Sequence, residues 1–371
     1  MTSKLRERSR KIHCKKFTFV IYSNQKLQTF PKLGEIMKIS LKDVALHCNL
    51  SISTVSRALN GDYGVKNKTR VQVLEAANAL GYVPNLAAKE LVRQKSELIG
   101  ILLEDSDFEA RPAFFELLPY INKTLASYNY RAIIYTIRSH NYSRGELNDI
   151  LNFRNLSGCI LLSVFRADHP IYEDLKEMNH PAVVLESSTL TRFCSNINTD
   201  ENMGAYMATR YLIDCGHRRI GFVNGPECFE ISRERLEGFR RATEEAHLTV
   251  EDTPVFWSDY TGNGGNESAH QLLHLNPTIT AIFFANDLMA MGAISSLAEK
   301  GVLVPEHLSV IGYDGLFVGK YYNPPLASIV IDNPAIGIKA AEMLLELING
   351  GSGKTIRLTP SLFKGNSVKP I

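Results

Sequence analysis

The sequence predicts a small all-α head joined to a larger α/β body of two lobes with parallel sheets. Three observations carry this. "SLKDVALHCNLSISTVSRALNG" holds two short helical patterns across a tight turn. From Glu97 onward, short apolar runs alternate with helical stretches, the pattern of parallel strands covered on both faces. The charge divides along the same line. Residues 1–36 carry nine Lys/Arg against two Asp/Glu (+7), residues 37–96 nine against four (+5), and the remainder 23 against 33 (−10). A basic head on an acidic body is expected where one end meets nucleic acid, although a solvated basic tail has the same charge.

In the head, Ser40 followed by Asp43 is a capping-box start for a helix over Leu41–His47, with Val44 and Ala45 inward and Leu41 one turn back. "CNL" is the turn. Ser51 is the next N-cap, for a helix over Ile52–Asn60 that Gly61 ends. A third helix fits Thr69–Leu80, with Val71, Leu74, Ala77 and Leu80 at helical spacing and Gly81 as its stop. Such a helix-turn-helix unit sets the start of its second helix into the DNA major groove. That places Ser51, Ile52, Ser53, Thr54, Arg57 and Asn60 as candidate DNA contacts. Arg57 can read guanine through a bidentate contact, worth ~1–3 kcal/mol of discrimination. Ser53 can bond a base edge or a phosphate, and Ile52 can meet a thymine methyl. Three short helices are equally a plain bundle, so the order of the motifs has to decide.

"SISTVSRALNG" followed by "GYVPNLAAKEL" resembles the DNA-binding head of the LacI/GalR family of bacterial repressors, in which "LKDVA", "STVSRALNG" and "LGYVPN" recur in this order. The resemblance implies a reading frame that begins at Met37, with residues 1–36 either an upstream translation artefact or a basic extension, without counterpart in the family. It divides the rest into a helix-turn-helix domain over 37–83, a hinge helix and linker over 84–96, and an effector-binding and dimerisation body over 97–371. Asn85 can cap a hinge helix of about seven residues, too short to hold alone in water. The resemblance implies that this helix folds against DNA and a partner subunit. Leu91 would then wedge into the minor groove and kink the DNA by roughly 20–90°; the alternative for Leu91 is packing on the body.

In the body, "ELIGILLE", "YRAIIYTI", "GCILLSV" and "AVVLES" read as buried strands, and the series resumes with "RRIGFVNG", "AIFFAN" and "LSVIGYDG" after a break near Asn196–Asp200. Pro119 is expected to kink or shorten the first helix of the body. Ligands of such sheets bind beyond the carboxyl ends of the strands, which directs attention to Asn286-Asp287, Asp314 and the loop after "RRIGFVNG". "GHRRIGFVNGP", "RLEGF", "FFANDLMAMGA" and "LSVIGYDG" resemble the periplasmic-binding-protein-like, sugar-binding core of the same family. Carried over by position, the resemblance implies that Arg233 clamps a sugar, that Asp314 bonds its hydroxyls beside Asn286, and that Trp257 falls near an aromatic position covering a sugar face. Such planar groups grip adjacent hydroxyls while an aromatic takes the C–H side. Asp287 is either an N-cap or a ligand contact, and Trp257 either pocket wall or core. The chain departs from the family at "DSDFEARPAFFELL", where Phe108 or Phe114 can line the site, and at Ile331, where the family often has a polar residue.

Other motifs lead nowhere. "NGGSGKT" has Ile348 where a phosphate loop needs glycine, and "TGNGG" has no strand ahead of it. No HExxH or nucleophile elbow points to catalysis, and six cysteines without a CxxC pair suit buried hydrophobes better than disulfides or zinc. No enzyme activity, metal or cofactor is expected. No apolar run approaches the ~20 residues of a membrane helix. "FTFVIY" lacks a cleavage pattern after it, so the expected location is cytoplasmic. Taken with the resemblance, these residues lead us to expect a repressor that binds near-palindromic double-stranded operator DNA under a small carbohydrate-like effector. No heptad stretch follows "SLFKGNSV", so a homodimer is expected rather than a tetramer. The rival readings are control by a phosphorylated protein partner, and a solute-binding protein whose body does the work.

Overall fold

A computed structural model describes residues 39–61, 63–82, 96–105, 112–162, 165–166 and 168–371. Met37, the extension over 1–36, Asn85, Leu91 and Phe108 lie outside the described residues. The chain falls into two units, within Met1–Lys89 and Glu90–Ile371.

The head holds three helices. Helix α1 (Leu41–Cys48) starts where Asp43 Oδ2 accepts from the Ser40 N–H at 2.7 Å and from its hydroxyl at 2.6 Å. Helix α2 (Ile52–Asn60) starts where Ser51 Oγ accepts from the Thr54 N–H at 3.2 Å, and it ends at Gly61, whose φ of +78° only glycine adopts without strain. Helix α3 (Asn67–Ala79) begins two residues before the position the spacing indicates. Its packed face matches the expected one at Ala77 and Leu80 but not at Val71 and Leu74. Val73, Ala76 and Ala77 are buried, whereas Val71 and Leu74 are 53% and 49% exposed. The smaller side chains let α3 lie close on its neighbours. Val44, Val55 and Val73 are fully buried at the centre of this core, each contributing about 1.5–3 kcal/mol by burial.

The body opens with β1 (Leu98–Glu104), α4 (Ala113–Ser127), β2 (Arg131–Ile137), α5 (Glu146–Phe153), β3 (Gly158–Leu161), α6 (Ile171–Glu177), β4 (Ala182–Leu185) and β5 (Cys194–Thr199). It continues with α7 (Glu201–Asp214), β6 (Ile220–Asn224), α8 (Glu230–Glu245), β7 (Val255–Trp257), α9 (Gly262–Leu275), β8 (Ala281–Phe284), α10 (Asp287–Glu299) and β9 (Ser309–Asp314). The last elements are β10 (Ala327–Val330), α11 (Asn333–Ile348), β11 (Thr355–Leu358) and β12 (Ser361–Phe363).

Two six-stranded sheets result, in the orders β11-β5-β4-β3-β1-β2 and β12-β10-β9-β8-β6-β7. Every pairing is parallel except β10 with β12, which is antiparallel and amends the all-parallel expectation. The seven strands read from apolar runs are all present. β5, β7, β10, β11 and β12 gave no such signal because they are short or, like "CSNINT", polar. β2 was read as buried but is a half-exposed edge strand.

The chain leaves the first sheet after Thr199 and packs α7 into the second lobe's core. It returns through α11, whose Ile336, Ala340 and Leu344 fill the first lobe's core, and after β11 it crosses once more into β12. These crossings tie the lobes together and leave a cleft between them. In the second lobe's core, Phe222 stacks on Phe283 with centroids 4.5 Å apart and on Phe239 at 4.9 Å, pairs worth about 0.5–1.5 kcal/mol beyond their buried area. Pro119 does not shorten α4, which runs for 15 residues through it. Pro119 lies on the exposed face, opposite the buried Leu117, Ile121 and Leu125. The reading of the cysteines as buried holds for Cys48, Cys159 and Cys194, whereas Cys215 is half-buried and Cys228 exposed.

Candidate DNA-reading face and effector cleft

On α2 the buried Val55 and Ala58 face the head's core, which turns Ser53 and Arg57, four residues apart, outward together. Ile52 beside them is 48% exposed, a large apolar side chain presented to solvent at a helix start. Ser51 and Thr54 serve the helix itself. Their hydroxyls lie 2.8 Å apart, and Ser51 Oγ is also 2.9 Å from Ser53 Oγ. Asn60, half-buried in the last turn, donates to Ser56 Oγ at 3.4 Å. The face therefore offers one guanidinium, small hydroxyls and one apolar tip. Lys66 and Lys68 are exposed at the start of α3 and add charge to the head.

In the body, the cleft forms at the carboxyl ends of β4, β5, β8, β9 and β10, where parallel sheets bind ligands. At its base, Arg235 is 3% exposed. Its Nε donates to Glu201 Oε2 at 2.6 Å and its Nη1 donates to the Ala285 carbonyl. Its Nη2 lies 3.9 Å from Asp314 Oδ1, and the guanidinium sits 3.8 Å over the Tyr313 ring. Burial works against this charge, but Glu201, with Tyr260, Tyr313 and Asp314, holds it firmly protonated.

Asp314 ends β9 at a φ of +96° and is followed by Gly315 at +68°, whose Cβ would strike Val330. The turn is held from behind. Asp287 accepts from the Leu316 N–H at 2.7 Å and from Ser328 Oγ at 2.6 Å, and Ser328 Oγ accepts from the Gly315 N–H at 3.1 Å. Asp287 is therefore neither the N-cap nor a cleft residue. The cap of α10 is Asn286, whose Oδ1 accepts from the Met289 N–H at 2.9 Å while its Nδ2 donates to the Tyr260 carbonyl at 2.8 Å. Asn286 still lines the cleft, as does Phe114.

Two other assignments are corrected. Arg233 is exposed on α8. The buried side of that helix carries Ile231, Ser232, Arg235 and Leu236, and this phase brings Arg235 to the cleft instead. Trp257 is 40% exposed on the edge strand β7 and does not line the cleft; Tyr260, three residues on, does.

The sequence reading also missed Glu186, Thr199 and Glu201. Glu186 directly follows β4, where the rule of strand ends could have found it. It has a φ of +49°, and its Oε1 accepts from the Thr199 N–H at 2.8 Å. It lines both an inner cavity of about 60 Å³ and an outer chamber of about 410 Å³. Crowding by protein, and then the charge of Glu201, push its carboxyl well above the ordinary range. Ile331 lines the cleft as expected, and Asn333 two residues on supplies an amide. Among the described residues, no cluster of His, Cys, Asp and Glu could hold a metal ion, and no helix is long and apolar enough to cross a membrane.

Residues 40–85 match the family described as bacterial regulatory proteins, lacI family, and residues 209–368 match the periplasmic binding protein-like domain. The chain is 32% identical over 318 residues to the probable HTH-type transcriptional repressor ExuR of Bacillus subtilis, covering 84% of this chain and 92% of that protein. Among solved structures it is similar to a Lac repressor dimer bound to operator and the anti-inducer ONPF, with a TM-score of 0.76 and 26% identity over 89% of this chain and 99% of that one. The complex of the transcriptional regulator CelR with cellobiose gives a TM-score of 0.66 and 28% identity at the same coverage. With a helix-turn-helix head, a two-lobed body and relatives of this kind along most of its length, the chain belongs to the lacI family and is a DNA-binding transcriptional repressor with an effector-binding body.

Proposed function

We propose that the protein acts as a homodimer on a near-palindromic operator and that a carbohydrate-like molecule in the body's cleft controls it. The observation that carries the effector site is the convergence of Asp314 and Arg235, from separate elements, at strand ends between the two lobes. In this reading Asp314, Asn286 and Arg235 engage hydroxyls, and Arg235 takes the part first given to Arg233. The outward residues of α2 read base edges, Arg57 foremost, and two heads meet the two half-sites of a two-fold operator. The likeness to a Lac repressor dimer seated on its operator supports the dimer, and the likeness to a regulator holding cellobiose supports the carbohydrate. Segment 84–96 would carry the hinge, with Asn85 as its cap and Leu91 as the minor-groove wedge. Ligand that alters the closure of the lobes would shift the paired hinges, and a coupling of about 1–3 kcal/mol changes operator affinity some 5–150-fold.

The test pairs thermal unfolding against a sugar panel with operator binding. A bound sugar at 100 times its dissociation constant should stabilise the fold by about 2.7 kcal/mol. The Asp314→Ala protein should then bind operator as before but no longer respond to that sugar. An unchanged response would remove Asp314 from the site.

A further inference from the structure

Resting on the reading that the effector engages Asp314, Asn286 and Arg235, we propose that Phe114 is a displaceable occupant of the cleft. Its ring fills the place of the effector's ring, turns out as the effector enters, and so sets the size of molecule the site accepts. The first observation is space. The inner cavity that Asp314, Asn286 and Arg235 line holds about 60 Å³. A cavity of about 150 Å³ is what takes one benzene molecule. A sugar ring therefore enters only if part of the wall yields.

Phe114 is the part that can yield. From the second position of α4, in the first lobe, it packs against the hydrophobic cores of both lobes and lines the cavity between them. Among the described lining residues, the other that touches both cores is Ile331, which sits on the crossing chain itself and whose N–H donates to the Asp314 carbonyl at 3.2 Å. The rest of the wall is tied down. Glu186 is bonded to the Thr199 N–H, Arg235 is paired with Glu201, and Asn286 caps α10. Tyr260, the other ring in the wall, is 3% exposed, and its hydroxyl lies 2.8 Å from Ser232 Oγ. Phe114 has only apolar packing to give up, and its half-buried ring already meets solvent.

Helical crowding does not hold the ring either. Inside a helix the preceding turn closes off some rotamers, but Phe114 is the second residue of α4 and has no helical turn before it. The helix itself stays in place, because Glu116 accepts from the Phe317 N–H and from Asn333 Nδ2. The effector then exchanges one ring for another against the same apolar walls, Leu117, Ile231 and Ile336, while its hydroxyls reach the polar groups. Every binding event costs the packing that Phe114 gives up. Taking the ring away in advance removes that cost and raises the apparent affinity.

The test uses the full chain as wild type, Phe114→Ala and Phe114→Leu. Glucose, galactose, ribose and cellobiose are titrated by calorimetry, and each protein is melted in plain and in benzene-saturated buffer. A sugar that binds wild type should bind Phe114→Ala about tenfold tighter, as expected when a large apolar side chain no longer has to give up part of its burial. Phe114→Leu should fall between, and it carries the same sign if the alanine variant does not fold. Cellobiose, the largest of the four, should gain most. Benzene should raise the unfolding midpoint of Phe114→Ala and leave wild type unchanged, because only the variant has a ring-sized space. Weaker sugar binding by Phe114→Ala would mean that the ring stays and packs on the effector; unchanged binding would mean that the effector's ring lies elsewhere, in the outer chamber. Either result overturns the proposal and leaves the carbohydrate reading standing. Silence from every sugar on all three folded proteins overturns the carbohydrate reading. Benzene then decides alone, and a Phe114→Ala protein that it does not stabilise overturns Phe114 as the occupant of the cleft.

Discussion

Arg235 and Glu201 form an ion pair at the base of the cleft, with Nε 2.6 Å from Oε2 and both side chains no more than 4% exposed. Losing one partner of such a pair leaves the other charge buried, which typically costs about 3–5 kcal/mol, whereas an apolar replacement of both is far milder. Glu201→Ala should therefore destabilise the protein by about that amount. Arg235→Met with Glu201→Met should recover most of the loss while abolishing any response to effector. Urea unfolding of the single and double variants measures both, and equal losses would show that the pair is not coupled.

The head was the most legible part of the sequence because its signals are local. Ser40 with Asp43, Ser51, and Gly61 fix the two helices and their turn through bonds that span three or four residues. In α3 the helical spacing marks Ala77 and Leu80 correctly, but Val71 and Leu74 stand on the outer face, while Val73 and Ala76 make the contact. In the body the fully buried strands announced themselves, but β5 and β7 did not, since neighbours in space rather than their own composition make them strands. The cleft was half legible. Asp314 and Asn286 follow obvious strands, but Arg235 could be separated from Arg233 only by the phase of α8, and Glu186 only by knowing that β4 ends at Leu185.

Arg57 stands on the exposed side of α2, four residues after Ser53. Arg57→Ala should weaken specific operator binding by about 1–3 kcal/mol and leave non-specific binding nearly unchanged. Fluorescence anisotropy on operator and on scrambled DNA at one salt concentration checks this. Equal losses on the two DNAs would mean that Arg57 meets only phosphate.

Glu116 on α4 in the first lobe accepts from the Phe317 N–H of the second lobe at 3.1 Å and from Asn333 Nδ2 at the start of α11 at 3.2 Å. The first bond crosses between the lobes, and the second ties α4 to the point where the chain re-enters the first lobe. Glu116→Ala should loosen closure and weaken effector affinity by about fivefold, a loss near 1 kcal/mol for hydrogen bonds that are partly exposed. Small-angle scattering should report a more open body. An unchanged affinity would show that closure does not depend on this residue.

His217 is buried, with Nδ1 2.9 Å from Thr280 Oγ1 and Nε2 3.1 Å from the Lys369 carbonyl. Burial lowers its pKa below the ordinary 6.5. The unfolded chain then binds the proton more readily than the native one. Stability is therefore full above about pH 6.5 and is lost as the pH falls through the depressed value, at up to ~1.4 kcal/mol per pH unit. Glu186, with its raised pKa, acts in the opposite sense, losing stability as the pH rises above about 4.5. The difference between wild type and His217→Gln isolates the histidine, because Glu186 is present in both. That difference should shrink steadily from pH 7 to pH 5, and a constant difference would show that His217 does not titrate with folding.

Gly238 lies where α8 crosses α7, and a Cβ there would stand 2.0 Å from the Asn202 carbonyl oxygen and 2.9 Å from the Tyr206 nitrogen. On propensity alone, alanine in the middle of a helix should stabilise by about 1 kcal/mol. Backbone cannot withdraw as a flexible side chain can, so Gly238→Ala should instead destabilise by about 3 kcal/mol, at the upper end of overpacking costs. Gly350 is the contrast. It has a φ of +92° and nothing within 4 Å of its would-be Cβ, so Gly350→Ala should cost only about 1–2 kcal/mol of left-handed strain. Urea unfolding of the two variants ranks the effects. A stabilised Gly238→Ala protein would mean that α7 and α8 can move apart freely, and that the close helix contact beside Arg235 and Glu201 does not hold the floor of the cleft in place.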